Sequence, residues 1–303
     1  MRNIYFLLIF LIIGSCGSKK NEERSIDVTA YNSEIEAWQK KRVDDLKGPN
    51  GWLNLAGLFW LKDGINTFGS DEKNDIVFPA GKIPARAGFF LLKGGAVTQE
   101  AYPNVTLMSM GKPVKEMVAF HPDSAKAPII DYGSLQWFII KRDNKFGVRL
   151  RDFRNQALET FHGIDHYPVD IAWRLEASFE MARGSRTIDI TNILGQTSPQ
   201  PSPGTVVFSI HGKEYRLDAI DDDEGSDEYF MIFGDLTNAK ETYGAGRYLY
   251  IEKPDSTGKT IIDFNKAYNP PCAFTTFATC PLPPRQNVLD IEIKTGEKNY
   301  ESH

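Results

Sequence analysis

The chain has few of the residues that usually announce chemistry. It carries five histidines and three cysteines in 303 residues. No Gly-x-Ser-x-Gly or His-Glu-x-x-His occurs, so the nucleophile elbow of the α/β-hydrolases and the zinc-binding helix of the metalloproteases are absent. No glycine-rich loop follows a strand and opens a helix, which argues against a nucleotide-binding core, and no cofactor is expected. Clustered cations are also missing. Lys40-Lys41-Arg42 falls on an expected helix, and Arg149-x-Arg151 is isolated, so with a formal net charge of −5 nucleic acid is excluded as a partner. Beyond the first fifteen residues no apolar run is long enough to span a bilayer.

The start of the chain is different. Met1-Arg2-Asn3 is short and positive, Ile4 to Ile13 is apolar without a break, and Gly14-Ser15-Cys16 follows. Such a run is too short for a membrane span but suits the hydrophobic region of a signal peptide. Ile13-Gly14-Ser15-Cys16 resembles the bacterial lipobox, which implies export, cleavage after residue 15 and lipid on Cys16. Residues 16–28 then hold the lipidated cysteine and a polar, charged tether. The expectation is an exported lipoprotein of the bacterial cell envelope, anchored to a membrane by lipid and facing the periplasm or the surface.

With Cys16 assigned, Cys272 and Cys280 remain. In an exported protein they form either a disulfide or a pair of reduced, buried thiols. No histidine or second cysteine pair lies close by to complete a metal site, and no metal is expected.

The body is rich enough in apolar residues, at 41%, to fold around a proper core. Ser33-Glu34-Ile35-Glu36 has the capping-box form, and Ile35, Trp38, Arg42 and Leu46 follow at helical spacing until Gly48-Pro49. This amphipathic helix is expected to lay Trp38 on the body. After it, short apolar runs bounded by glycine, proline or charge recur about every 8–12 residues, the spacing of sandwiches and barrels. The expectation is a mainly β fold: a helix plus a small sandwich-like region over 29–130, then a larger antiparallel β-barrel or sandwich region over 131–303. Gly195 to Gly204, with three prolines, reads as an exposed connection. Asp221-Asp222-Asp223-Glu224-Gly225 reads as an acidic, solvated loop whose spacing does not fit an EF-hand. His162 and His166 are four apart, but Gly163 and Pro168 favour a loop over a metal-binding helix.

Three stretches make the chain recognisable. They are Gly51-Trp52-Leu53-Asn54-Leu55-Ala56-Gly57-Leu58-Phe59-Trp60-Leu61 with Phe68-Gly69-Ser70, then Asp235-Leu236-Thr237 through Arg247-Tyr248-Leu249, and Asp263-Phe264-Asn265 through Cys280-Pro281-Leu282-Pro283-Pro284. Together they closely resemble the bacterial domain-of-unknown-function family 1684, over nearly everything after the tether. That resemblance implies a recurring folded domain and no particular activity. Phe68-Gly69-Ser70 followed by Asn74-Asp75-Ile76-Val77-Phe78 also resembles the opening of a forkhead-associated domain. Ser70 stands where that family places arginine, and the later Ser-x-x-His has no counterpart, so a similar sandwich is implied without phosphothreonine reading.

The candidate ligand site is a polar cluster around Arg247: Asp235, Thr237, Arg247, Asp263, Asn265, Tyr268 and Asn269. Arg247 suits a carboxylate or phosphate, and Asn265 and Tyr268 suit orienting hydrogen bonds. The rival for the same residues is structural, with Asp235 and Arg247 pairing with each other. Two function classes follow: an envelope module binding a small or extended ligand, or an envelope hydrolase using Asp235, Asp263 or Cys272. A third role, as a structural partner of other envelope proteins, is not discriminated by sequence.

Overall fold

The computed structural model describes residues 27–300. Cys16 and the signal-like segment lie outside the described residues. Among those described, no helix is long and apolar enough to cross a membrane.

Helix α1 spans Val28–Lys47. It begins earlier than the capping box at Ser33 suggests, because Asp27 is itself a cap: its carboxylate accepts the N–H groups of Thr29 and Ala30. The early start adds Tyr31 to the buried stripe, one turn before Ile35. Gly48 ends the helix as expected. Trp38 is half-buried, its ring 6.4 Å from that of Tyr268.

Eleven strands follow in a first unit: β1 (Leu55–Trp60), β2 (Gly64–Gly69), β3 (Ile76–Val77), β4 (Gly88–Lys93), β5 (Ala96–Ala101), β6 (Leu107–Ser109), β7 (Lys112–Val114), β8 (Glu116–Phe120), β9 (Ile130–Tyr132), β10 (Leu135–Arg142) and β11 (Lys145–Asp152). They form a six-stranded sheet, β1-β11-β10-β9-β6-β7, and a five-stranded one, β3-β2-β4-β5-β8. The two sheets enclose one apolar core around Phe68, Phe78, Phe90 and Trp137. Alternation puts it there: Gly88, Phe90 and Leu92 of β4 point inward, and the intervening residues do not. Because β1 pairs with β11, and β11 with β10, this sandwich runs to Asp152 and so continues beyond residue 130.

The rest of the chain holds α2 (Gln156–Thr160), β12 (Arg174–Met181), β13 (Thr187–Thr191), β14 (Thr197–Pro201), β15 (Gly204–Ile210), β16 (Lys213–Asp218), β17 (Glu228–Phe233), β18 (Arg247–Glu252) and β19 (Lys259–Asp263). A four-stranded sheet, β16-β15-β12-β19, is joined by two ribbons, β13-β14 and β17-β18. Among the described residues no sheet closes on itself, so this region is sandwich-like and not a barrel. One face of β17-β18, with Met231, Phe233 and Leu249, completes the core beside Phe208 and Phe264. The other face, with Phe230, Ile232 and Tyr248, packs on Ile188 and Ile190 of β13.

The proline-rich segment is the main departure from expectation. Gly195 to Gly204 is not merely a connection, since Thr197–Pro201 form β14. Ser202 donates its N–H to Arg186 O across the ribbon. By alternation Pro199 and Pro201 then turn their nitrogens to the open edge, where a missing donor disturbs no ladder. His162 to His166 is a loop, as expected.

The two units meet around α1 and the C-terminal segment. Leu46, Leu53, Phe161, Ala273 and Phe274 form one shared cluster; Trp52 and Tyr243 pack on a second, made of Cys272, Ala278 and Cys280.

Candidate functional site

The residues expected to bind a ligand come together as a sealed seam. Asp235 and Arg247 face each other at 2.7 Å, and both side chains are fully buried. Asp235 also accepts from the Thr237 N–H at 2.8 Å and the Thr237 hydroxyl at 2.5 Å. Arg247 donates further to the carbonyls of Ile293 and Thr295, and its guanidinium lies 5.4 Å from the Phe233 ring centre. A buried guanidinium needs this many partners to offset its lost hydration. The ligand role expected of Arg247 is therefore corrected. Its carboxylate partner comes from within the chain, and solvent does not reach it.

The other members are engaged in the same way. Asp263 accepts the Tyr31 hydroxyl at 2.9 Å and the Asn265 N–H at 3.1 Å. The Asn265 amide bonds Tyr31, Thr295 and both backbone groups of Asp170. Asn269 donates its N–H to Glu297 and its side-chain amide to Lys298 O. Tyr268 is held between the Arg42 guanidinium, 4.6 Å from its ring centre, and the Tyr248 ring. Arg42 also donates to Glu297 at 3.1 Å and to Asn269 O at 2.8 Å. Burial pushes the Glu297 carboxyl above its ordinary value despite that guanidinium. Together these groups tie α1 and the C-terminal segment onto β17, β18 and β19. This seam is fold-holding structure.

The residues named as hydrolytic candidates are bonded within the fold. Asp235 and Asp263 are taken up in the seam, and Cys272 is joined to Cys280 with Cα atoms 6.1 Å apart. Among the described residues no cluster of histidine, cysteine and carboxylate could hold a metal ion. In the first unit Ser70 donates its hydroxyl to Ile83 O, and the Asn74 amide bonds Asp71 O and Ala85 O, so that loop is internally satisfied.

A different site is open. Next to β13-β14 lies a cleft of about 410 Å³, within the size range of ligand pockets. Its apolar lining is Ile190, Ile220, Phe230 and Ile232, and its polar lining includes Asn192, Gln196, Ser198, Gln200 and Thr279. Each wall has a local cause. Along β14 and the residue before it, the even positions 196, 198 and 200 are half-buried and the odd positions 197, 199 and 201 exposed, so the polar row faces one way. Phe230 is fixed by Tyr248 and Tyr250, at ring distances of 4.9 and 5.0 Å. Ile193 N–H donates to Cys280 O, and Asn192 bridges to Pro281, so the disulfide loop supplies Thr279 and Pro281 to the rim. Arg142 and Asp143 arrive from the β10-β11 turn of the first unit. The cleft thus takes residues from both units.

Several of its polar atoms are already oriented. Asn192 Nδ2 donates to Gln196 Oε1, and Gln200 Nε2 to Ser198 Oγ, each at 3.0 Å. The Asp222 carboxylate on the rim accepts the Tyr250 hydroxyl at 3.0 Å, and burial together with that carboxylate raises the Tyr250 phenol. Sequence reasoning missed this site because the prolines concealed a strand. The alternation Gln196-x-Ser198-x-Gln200 was the signal available.

No curated protein matches the chain. An uncharacterized protein of Haloarcula marismortui, solved in solution by NMR, is similar at 29% identity with a TM-score of 0.41, over 49% of this chain and 82% of that one. The forkhead-associated domain of FhaA is similar at 14% identity with a TM-score of 0.22, over 31% of this chain and 97% of that one. The opening stretch from Gly51 to Ser70 lies outside the segment that a family matches. That segment, residues 159–298, holds the buried seam and most of the cleft, and it matches the family described as Protein of unknown function (DUF1684).

Proposed function

We propose that the chain is a lipid-anchored protein of the bacterial cell envelope that binds a small or extended ligand in the cleft beside β13 and β14. One observation carries the binding role: one cleft is lined both by Phe230 and three isoleucines and by a row of uncharged hydrogen-bonding side chains, Gln196, Ser198 and Gln200. The anchor is argued from the charged start, apolar run and Cys16 of the sequence.

Both parts are tested on the full chain. A fatty-acid label enters the parent and not the Cys16→Ala variant, which leaves the membrane fraction; a labelled or membrane-bound variant overturns the anchor. A thermal-shift screen with neutral oligosaccharides, inorganic phosphate, short peptides and myristate tests binding. A ligand at a hundred times its dissociation constant adds about 2.7 kcal/mol. The expected result is a saturable shift in the parent that Gln196→Ala/Gln200→Ala loses. A shift that survives this double variant, or no shift with any probe, contradicts the assignment.

A further inference from the structure

We infer that the ligand of this cleft is a neutral saccharide chain longer than one ring, an inference that rests on the binding role proposed above. The polar row comes first. Ser198 and Gln200 stand at alternate positions of β14, and Gln196, the residue just before the strand, continues the alternation, roughly 7 Å from one to the next. That is a line of hydrogen-bonding groups along the strand, not a single anchor point, and it suits a repeating ligand. Each amide offers a donor and an acceptor side by side, as neighbouring sugar hydroxyls do. The internal bonds Asn192–Gln196 and Gln200–Ser198 fix the amides while leaving Gln196 Nε2 and Gln200 Oε1 without a partner among the described residues. In the same lining, Ile190 beside Ser198 on the neighbouring strand, with Ile220, Phe230 and Ile232, offers an apolar surface of the kind that the C–H face of a sugar ring covers.

The other ligand classes fit less well. An extended peptide adding to β14 needs backbone donors on its open edge, and Pro199 and Pro201 remove them there. An acyl chain would bury the amide row with nothing to bond it, at the cost of each desolvated group. An anion meets Asp143 and Asp222 in the lining and the exposed Asp223 and Glu224 beside them. The single cation of the lining, Arg142, already donates to Lys141 O at 3.0 Å, and Asp221 nearby faces Lys253 at 3.7 Å. The surplus of carboxylates at the rim disfavours a negatively charged chain.

The test titrates the full chain with two neutral tetrasaccharides, cellotetraose and tetra-N-acetylchitotetraose, and with their monosaccharides. The comparison probes are tetragalacturonate (anionic), the deacetylated chitosan tetramer (cationic), tetra-alanine and myristate. A neutral tetrasaccharide is expected to bind at least tenfold more tightly than its monosaccharide. Gln196→Ala/Gln200→Ala should weaken it at least tenfold with an unchanged unfolding temperature, and Ser198→Tyr should block it by filling the cleft. Binding of a charged, peptide or acyl probe in its place, lost in the same variants, overturns the saccharide inference and keeps the binding role. No binding by any probe, or saccharide binding that both variants retain, overturns the two together.

Discussion

The seam around Arg247 and the cleft beside β14 are both dense in polar side chains, yet they differ in how those side chains are used. In the seam, Asp235, Arg247, Asp263, Asn265 and Asn269 bond one another, α1 and the C-terminal segment, and they are almost completely buried. In the cleft, Gln196, Ser198 and Gln200 are half-buried and bond only short-range neighbours. A run of striking polar motifs therefore does not by itself mark a ligand site. What decides it is whether unused hydrogen-bonding capacity faces open space: in the seam the unpartnered Arg247 Nε and Asn269 Oδ1 are sealed inside the fold, whereas the free amide atoms of Gln196 and Gln200 belong to side chains that line an open cleft.

The contrast can be broken at its strongest point. Arg247→Ala leaves Asp235 buried without its cation, and breaking such a pair costs about 3–5 kcal/mol. Urea unfolding of the full chain should show this loss, while whatever affinity the still-folded fraction has for a cleft ligand stays at the parent value. A stable Arg247→Ala protein that has lost ligand would reverse the assignment of the two regions.

A smaller effect sharpens the comparison from the seam side. His166 is followed by Tyr167, whose hydroxyl bonds Glu241, and it bridges to Glu297; its Nε2 is buried without a partner. Burial holds its imidazole below the ordinary value of 6.5. The unfolded chain then binds a proton that the folded chain resists, so stability from this group is full above that value and declines as pH falls through it. Melting curves at pH 7.5 and 5.5 should therefore converge in His166→Gln relative to the parent. An unchanged difference would mean that His166 titrates normally in the fold.

Much of the architecture was legible in the chain. Short alternating runs marked the strands, and Gly48-Pro49 marked the end of α1. The start of α1 was misread because Ser33 and Glu36 satisfy a local cap pattern, whereas Tyr31 is drawn into the helix's buried face by Asp263, 232 residues away in sequence. Cys272 and Cys280 are near enough in sequence to suggest a bond, but their union depends on the loop between them. The cluster around Arg247 was found correctly as a cluster and read for the wrong use. Its partners at Ile293, Thr295 and Glu297 are backbone carbonyls, which no side-chain motif reveals. The cleft escaped for a related reason. Its walls come from four distant segments, and its polar row sits in a strand whose prolines suggest a loop.

Hydrogen exchange of the full chain, with and without saturating tetra-N-acetylchitotetraose, tests the central distinction most directly. Protection should rise in Ile188 to Gln200 and around Phe230 and Ile232, with a smaller gain at the Arg142–Asp143 turn, and Ile293 to Glu297 should be unchanged. Protection that appears instead around Arg247 and Ile293 to Glu297, with β13 and β14 unaffected, would show that the seam is the site and the cleft is not.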